Sequence, residues 1–430
     1  MFLANRYRGT ILTMLFLAMV INYIDRAALA IAMPFITKDF HLSVAEKGLI
    51  FSSFSIGYAI FNFVGGYLAD RFGGKRVFTW AMTIWSVLCG LTAGVFSFSA
   101  LLVVRVLFGA GEGPISTTAN KVVNNWFPIK ERARAIGINQ AGGPLGGALA
   151  GPVVGLLALW LGWRVAFVVI AALGMMWAFC WRKLATEYPA QHPRVTPAEL
   201  ELIGQHADED AVEVSSARPR LTHVIFQRAV LVTGISLFCY NYILFFFMSW
   251  FPSYLIDAKG ISLKNMSFVS ALPWLIGALG YMSGGALIDA IYRRTGKLLL
   301  SRKCVLVTCL LVASLCIGLT GLVDDVRVAI GVMTVAIGFL MLTAPAYWSI
   351  IQDSVPRNQV GTAGGFMHGL ANVSGIVGPA LTGLLIQRSG SYATGFVLAG
   401  TLGIAGALIV ALFLKKPRPS LLVTEYPATV

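Results

Sequence analysis

Charged residues are scarce in this sequence, and their scarcity excludes a soluble globular protein. Asp, Glu, Lys and Arg make up only 12% of the 430 residues, whereas 57% of the residues are hydrophobic. The mean hydropathy is +0.76, a value that soluble domains of this length do not reach. The composition therefore predicts a protein that crosses a membrane several times.

The sequence also lacks the motifs of soluble enzymes and of metal centres. It contains no phosphate-binding loop, no zinc-type spacing of Cys and His, and no nucleophile elbow. These absences argue against an enzyme and against ATP-driven transport, and we expect neither a cofactor nor a metal ion. The cysteines all lie in hydrophobic segments and are interpreted as small apolar packing residues: Cys89, Cys180, Cys239, Cys304, Cys309 and Cys316.

Twelve hydrophobic segments are long enough to cross a bilayer as helices, which takes about 20 apolar residues each. The first segment is too long for the core of a signal peptide and has no small-residue cleavage site after it, so we expect it to be retained as a helix. The sequence thus predicts an all-α polytopic membrane protein. The segments fall into two sets of six: 10–35, 46–69, 76–97, 98–124, 134–158 and 163–184, then 228–256, 265–292, 302–322, 326–352, 360–387 and 391–414.

One long polar linker separates the two sets of segments. It contains four prolines and the acidic run Asp208-Glu209-Asp210. Its sequence Thr196-Pro197-Ala198-Glu199 is a capping box and predicts a short surface helix that ends near His206. We interpret the linker as a solvated connector, with an interaction site as the alternative. The predicted divisions are an N-terminal six-helix bundle at 1–184, the cytoplasmic linker at 185–227, a C-terminal six-helix bundle at 228–414 and a cytoplasmic tail at 415–430.

The net charge of +14 does not indicate a nucleic-acid partner, because the basic residues lie in alternate loops. The opposite loops carry few cations, among them Lys38, Lys47, Lys259 and Lys264. By the positive-inside rule, the basic loops and both termini are cytoplasmic. The basic set comprises Arg6, Arg8, Arg71, Lys75, Arg76, Lys130, Arg132, Arg134, Arg182, Lys183, Arg293, Arg294, Lys297, Lys415, Lys416 and Arg418.

The two halves of the chain repeat each other. The sequence Gly65-Gly66-Tyr-Leu-Ala-Asp70 recurs as Gly284-Gly285-Ala-Leu-Ile-Asp289, each time at the end of the second segment of a half and before a basic loop. Phe127-Pro128 is echoed by Val355-Pro356. Parallel six-helix repeats are a known transporter architecture, with the substrate site at the midplane between the halves.

The segment Gly66-Tyr-Leu-Ala-Asp70-Arg71-Phe-Gly73-Gly74-Lys75-Arg76 resembles the signature loop of the major facilitator superfamily. Asn22-Tyr23-Ile24-Asp25-Arg26, the pair Arg105 and Glu112, and the run from Asn120-Lys121 to Arg132 resemble the anion:cation symporter branch of that family. That branch includes bacterial sugar-acid importers and, more distantly, vesicular glutamate and sialic-acid carriers. The resemblance implies the major facilitator fold and a transport function.

Two ionised groups, Asp25 and Arg26, stand inside the first apolar segment. A charged side chain near the bilayer centre costs about 2.5 to 3.5 kcal/mol, so such residues normally face a polar cavity and mark a transport pathway. Adjacent Asp and Arg lower that cost if they neutralise each other. A structural ion pair that holds helices together is therefore the alternative interpretation.

Three further expectations come from depth along the predicted helices. At 1.5 Å per residue, Arg105 lies about 10 Å and Arg26 about 13 Å inside the same membrane face, so the two arginines have matching depth. Glu112 follows Arg105 by two turns, hence on the same face and roughly 10 Å deeper, near the midplane. A guanidinium fork suits a carboxylate better than the point charge of lysine. The alternative is a neutral salt-bridge network without transport chemistry.

The family resemblance implies roles for particular residues. Proton coupling falls to Asp25 and Glu112, and either is a candidate for the principal carrier. Gln140 is followed by Ala141, Gly142 and Gly143, which depart from the more polar run of sugar-acid carriers. Lys121 lies nearer the cytoplasmic end of its segment and is expected to snorkel. The implied substrate-binding residues are Arg26, Arg105, Tyr23, Tyr58, Gln140 and Asn372, and the implied gating residues are Gly66, Asp70, Arg71 and Asp289.

The sequence therefore predicts a secondary transporter of the bacterial inner membrane that imports an organic anion with protons. A sugar acid of the hexonate, hexuronate or aldarate type suits the amide and hydroxyl side chains expected to line the site. An aromatic or short dicarboxylic acid is the alternative, and a channel or transport-like sensor is a more distant one. We expect the bilayer, the anion and protons as partners, no nucleic acid, and function as a monomer.

Overall fold

The computed structural model describes residues 7–204, 224–355 and 360–415, and all regular structure in those ranges is helical. Twelve helices or broken helices are long and apolar enough to cross a membrane. The predicted all-α class and the number of spans are thus confirmed. The acidic run Asp208-Glu209-Asp210, residue His206 and residues 416–430 of the predicted tail lie outside the described residues.

The helices of the first half begin and end within a few residues of the predicted limits. Ser43 starts the second helix with a capping box, in which its hydroxyl accepts from the Glu46 amide at 3.3 Å and the Glu46 carboxylate accepts from the Ser43 amide at 2.8 Å. The helices are α1 (Tyr7–Phe40), α2 (Val44–Phe72), α3 (Gly74–Leu91), α4 (Phe98–Glu112), α5 (Ile115–Trp126), α6 (Ile129–Leu161) and α7 (Trp163–Leu184).

The second half follows a short linker helix. Its first span, α9, runs on into a π-helical turn at Tyr254–Ala258. The helices are α8 (Pro197–Gly204) in the linker, then α9 (Arg228–Ser253), α10 (Leu263–Val269), α11 (Ala271–Thr295), α12 (Leu298–Thr320), α13 (Val326–Leu342), α14 (Ala344–Ser354), α15 (Val360–Ser389) and α16 (Ala393–Phe413).

Three predicted continuous spans are broken. Span eight divides into α10 and α11 at Ser270, and the other two divide at prolines. Span four divides into α4 and α5 at Gly113 and Pro114, and span ten divides into α13 and α14 just before Pro345. Proline has no amide proton and clashes with the preceding turn, so a helix ends or kinks there. As a result, Glu112 is the last residue of α4 rather than a residue in mid-helix.

The chain divides into two compact units. Unit one comprises the described parts of Met1–Ser216, Phe246–Leu275 and Ile376–Tyr392. It thus includes parts of α9, α11 and α15, all of α10, and the whole first half. Unit two comprises the described parts of Ala217–Phe245, Ile276–Gly375 and Ala393–Val430. The division into bundles at residues 184 and 228 stays a prediction.

Close helix crossings in unit one position the candidate site. There α1 packs against α6, α2 against α4, and α3 against α7. A side chain at Gly57 of α2 would collide with the Val106 carbonyl of α4, and one at Gly109 would collide with the Phe54 carbonyl of α2. These two glycines let the backbones of α2 and α4 touch, which brings Phe54 against α4.

In unit two, α12 packs against α13 and α16. Arg302 pairs with Asp353 and also donates to the Ser349 carbonyl. The cysteines are free thiols, and three of them, Cys89, Cys239 and Cys309, are buried as expected. Cys304 is exposed instead, because it lies on the outer side of α12.

The first part of the linker is hydrogen-bonded to the first residues of α1 and α3. Thr196 accepts from the Glu199 amide at 3.3 Å, as the capping box predicts, but the Glu199 carboxylate caps α1 by accepting from the amides of Tyr7 and Arg8, both at 3.1 Å. Glu187 caps α3 in the same way, at 2.7 Å from the Gly74 amide. Residues 185–204 are therefore attached to unit one, while most of their side chains remain exposed or half-buried, and the solvated connector stays a prediction.

The ring of His192 stacks on Tyr7 with 3.8 Å between centroids. Burial, with Arg194 and Lys75 nearby, lowers the pKa of His192 below its usual range, so its ring is neutral at pH 7. This contact adds a second attachment of the linker to α1.

We expect Glu199→Ala to destabilise the protein by about 1 to 3 kcal/mol, because α1 loses its cap and the fully buried Arg8 loses one of its two carboxylate neighbours. The midpoint of thermal unfolding in detergent measures the effect. Glu201→Ala, at an exposed position of the same helix, is the matched control. Equal midpoints for the two variants would show that the cap contributes nothing.

Candidate functional site

Three helices of unit one place the candidate side chains together. Helix α1 carries Asp25 and Arg26, α4 carries Arg105 and Glu112, and α2 inserts Phe54 between them. The guanidinium groups of Arg26 and Arg105 lie 5.3 and 5.2 Å from the centre of this one phenyl ring. The structure thus brings the two arginines to one place, and their depth in the bilayer stays a prediction.

Arg26 is fixed by an ion pair with Glu112 and by aromatic rings. Its Nε donates to the Glu112 carboxylate, which is fully buried. The ring of Tyr58 lies 4.5 Å from the Arg26 guanidinium and the ring of Tyr23 lies 5.5 Å from it, both within the range of cation–π attraction. The charge of Arg26 is therefore balanced inside the protein.

Arg105 is buried without such a balance. It is 3% exposed, and its guanidinium lies 4.7 Å from the centre of the Phe108 ring and 5.2 Å from the centre of the Phe54 ring. Among the residues that the structure describes, no carboxylate lies within 4.0 Å of it, and its Nε has no hydrogen-bond partner. A buried cation is costly without an anion beside it, so this position favours a bound carboxylate or similar anion.

Asp25 does not pair with Arg26, which corrects the neutralisation considered from the sequence. Its carboxylate accepts from the Trp85 indole at 2.9 Å and from the Cys89 thiol at 3.8 Å, and it is 2% exposed. Adjacent residues of a helix point about 100° apart, so Asp25 contacts α3 while Arg26 contacts α2 and α4. The two carboxylates of the site therefore have different partners.

The remaining predicted substrate residues are spread over both units. Tyr23 makes an edge contact with Trp274 at 5.9 Å, and Tyr58 stacks on Phe54 at 5.5 Å, both in unit one. Gln140 is half-buried on α6 of the same unit. Asn372 belongs to unit two, where its amide donates to the His368 carbonyl at 2.9 Å.

Two of the predicted gating residues, Asp70 and Arg71, have side-chain partners in the structure. Lys121 donates to Asp70 at 2.8 Å, so it forms an ion pair rather than only snorkelling. Arg71 donates to the Tyr67 hydroxyl at 3.1 Å, one turn earlier on α2, where Gly66 also lies. Asp289 is exposed near the end of α11 in unit two.

The sequence predicted Tyr23 and Tyr58 beside the charges but not the aromatic residues Phe54, Trp85 and Phe108. Phe108 follows Arg105 by three positions and so shares its helix face, a spacing that could have identified it. Phe54 and Trp85 come from other helices and carry no local signal. Asn22 is also buried and has no predicted role of its own. Asn139, which its position in span five made a candidate lining residue, is buried with an amide oxygen that has no hydrogen-bond partner among the described residues. Within the same residues, no cluster of three or more His, Cys, Asp or Glu side chains is suited to a metal ion.

Curated relatives cover nearly the whole chain. A hexuronate transporter of Bacillus subtilis is 46% identical over 94% of this chain and 94% of its own length. The probable sulfoacetate transporter of Cupriavidus necator is 37% identical over 93% of this chain and 92% of its own length. A probable galactarate/D-glucarate transporter of Escherichia coli K12 is 32% identical over 93% of this chain and 92% of its own length.

The fold also matches a solved structure. The crystal structure of a bacterial homologue of the human lysosomal transporter Spinster, in an inward-facing and occupied conformation, superimposes with a TM-score of 0.76 over 95% of this chain and 96% of that chain. Its identity of 20% supports the fold alone. Residues 15–379 match the family model of the Major Facilitator Superfamily, and residues 293–425 match it again. The chain is therefore a multi-pass membrane protein of the major facilitator superfamily, as its signature loop predicted.

Proposed function

We propose that the protein imports a sugar acid together with protons, by alternating access. The observation that carries this proposal is Arg105, a buried guanidinium against two phenyl rings with no carboxylate partner among the described residues. The named relatives transport hexuronates or, probably, galactarate and glucarate, so a hexuronate, hexonate or aldarate is the substrate class. The proposed location is the bacterial inner membrane with both termini in the cytoplasm, and the proposed working form is a monomer.

The substrate carboxylate would bind to the fork of Arg105, which the rings of Phe54 and Phe108 hold in place. Arg26 lies against the same Phe54 ring and can supply a second fork. Hydroxyl groups of the sugar would meet Tyr23, Tyr58, Gln140 and Asn372, the contacts that the family resemblance implies. Sugar acids offer both the charge and the hydroxyls that such a set of side chains recognises.

Coupling to protons follows from competition for Arg26. In the structure Arg26 pairs with Glu112. An arriving anion that draws Arg26 away leaves the buried Glu112 carboxylate without its counter-ion. Protonation of Glu112 then removes the free-energy cost of a buried, unpaired charge. One proton that enters with a monovalent anion moves no net charge and draws only on the pH gradient, whereas each further net positive charge gains about 2.3 kcal/mol per 100 mV from the membrane potential. Uptake against a gradient would be driven in this way.

The cytoplasmic gate would be the loop that contains Gly66, Asp70 and Arg71, with Asp289 in the corresponding loop of the second half. The ion pair of Asp70 with Lys121 is exposed and therefore contributes little to stability. An exchangeable pair of this kind suits an element that must form and break contacts in each transport cycle.

Uptake into proteoliposomes tests the proposed function directly. We expect labelled D-glucuronate or D-galacturonate to accumulate above its external concentration when the outside is made acidic, and the accumulation to collapse on addition of a protonophore. Empty liposomes and an imposed pH gradient of opposite sign are the controls. Equilibration without accumulation would indicate a channel or uniporter, and binding without flux would indicate a sensor.

A small anion with two acidic groups is a second candidate substrate, because the sulfoacetate relative is 37% identical. Competition separates the two classes in the same vesicles. Unlabelled glucuronate should inhibit uptake at lower concentration than sulfoacetate, a short dicarboxylate or an aromatic acid. The reverse order would assign the site to short anions.

A further inference from the structure

A groove on the surface of unit one combines cations with an apolar stripe. It has a volume of about 560 Å³ and lies where α3 begins and α7 ends. Three cations, Lys75, Arg76 and Arg182, line it together with the hydroxyl-bearing Thr79 and Thr83. The proposed sugar-acid site does not include any of these residues.

The cations of the groove have no ion-pair partner among the described residues, although Lys75 and Arg76 also line an adjoining cavity that contains Asp70 and Glu187. Among the described residues, no carboxylate lies within 4.0 Å of the side-chain nitrogens of the three cations. The Glu187 carboxylate instead accepts from the backbone amides of Gly74 and Lys75, at 2.7 and 2.9 Å. In the adjoining cavity, by contrast, Lys121 is paired with Asp70. The groove is therefore a place where an anion with several oxygen atoms would be attracted.

The two threonines add a second preference. Thr79 donates its hydroxyl proton to the Lys75 carbonyl and Thr83 donates to the Thr79 carbonyl, both at 2.8 Å. With their protons engaged, these oxygens are left as acceptors. They suit the hydroxyl groups of a ligand, whereas the cations suit its phosphate.

An exposed apolar stripe continues from the cations along α3. Trp80 and Ile84 line the groove itself and are 51% and 52% exposed. Val87 and Leu91 follow on the same helix face and are also exposed. Since α3 is one of the membrane-spanning helices, this stripe meets acyl chains. A free phosphate ion would contact only the charged end of this surface.

We propose that the groove binds an anionic phospholipid with a hydroxyl-bearing head group, such as phosphatidylglycerol. The phosphate lies among Lys75, Arg76 and Arg182, the head-group hydroxyls bind Thr79 and Thr83, and one acyl chain follows the stripe of α3. Basic pockets between membrane helices on the cytoplasmic side are suited to such lipids. A bound lipid would contact both the start of α3 and the end of α7 and so link the two helices.

Native mass spectrometry of the full-length protein tests the proposal. The protein in detergent is given equal amounts of phosphatidylglycerol and phosphatidylcholine with identical acyl chains, and we expect retention of the anionic lipid. The double variant Arg76→Gln and Arg182→Gln should retain it roughly 25-fold less, at about fivefold for each cation removed. The control is Lys183→Gln, which removes one charge from the same end of α7 but from a lysine that lies over the Phe179 ring and outside the groove.

Fluorescence gives a second measurement that does not depend on gas-phase survival of the complex. The fluorescence of Trp80 is the difference between the emission of the unmodified protein and that of the Trp80→Phe variant. Brominated phosphatidylglycerol should quench this fluorescence, and brominated phosphatidylcholine should quench it much less. Equal retention by the double variant, equal loss in Lys183→Gln, or equal quenching by both lipids would overturn the proposal. Displacement of the lipid by millimolar inorganic phosphate would also overturn it, because the groove would then be a phosphate site.

Discussion

Arg105→Lys is expected to lose most of the uptake of sugar acid while the protein still inserts and folds. Lysine keeps the positive charge, but it has no planar fork to bind two carboxylate oxygens and no flat face to pack against Phe54 and Phe108. The loss of a charged hydrogen bond corresponds to about 1.5 to 3 kcal/mol, or roughly a tenfold to hundredfold lower uptake. Initial rates of labelled glucuronate uptake measure the effect.

The matched control for this prediction is Arg164→Lys. Arg164 also lies over an aromatic ring, at 4.3 Å from that of Trp163, but it pairs with Asp39 and is part of neither the site nor the lipid groove. We expect its uptake to be within about twofold of the unmodified protein, since a surface ion pair contributes little. An inserted Arg105→Lys variant with undiminished uptake would show that the carboxylate binds elsewhere.

Glu112→Gln is expected to abolish uphill uptake and to keep exchange. Glutamine resembles the protonated carboxyl group, so Arg26 loses its ionic partner permanently and no proton is taken up or released at residue 112. Proteoliposomes that contain unlabelled substrate should still exchange it for labelled substrate outside. The same vesicles, when empty and given an inward proton gradient, should not accumulate label.

Asp25→Asn is the companion variant, because Asp25 is the other buried carboxylate of the site. Its partners are Trp85 and Cys89 of α3, not an arginine. An anion at Arg105 or Arg26 therefore does not compete directly for any partner of Asp25, and we expect Asp25→Asn to keep part of its proton-driven uptake. If Glu112→Gln still accumulates substrate and Asp25→Asn does not, the principal proton carrier is Asp25.

Depth and residue type in the sequence were enough to identify the charged members of the site, but not their partners. Asp25 and Arg26 are neighbours in the sequence, which predicts that they can neutralise each other. On a helix they point to different neighbouring helices, so Arg26 meets Glu112, 86 positions later. Such a pairing depends on how α1 and α4 pack, which no local pattern encodes.

The fold was more predictable than the site, because hydrophobic length directly determines which segments can cross a bilayer. The exceptions were local. Pro114 divides span four, so that Glu112 ends a helix, and the linker contributes Glu199 and Glu187 to the caps of α1 and α3. A capping carboxylate so far along the chain has no sequence signature, although the capping box around Thr196 does.

The cap of α1 also has a consequence for the order of events during synthesis. The Glu199 carboxylate that binds the Tyr7 amide is added to the chain 192 residues later. Helix α1 must therefore enter the membrane before Glu199 caps its first amides. The buried Arg8 also lacks the Glu199 carboxylate until the ribosome has passed the sixth span of the first half. Domains generally fold as units during translation. Here the cap of α1 is complete only once the start of the linker has emerged, so a nascent chain released after residue 184 would lack the group that caps its first helix.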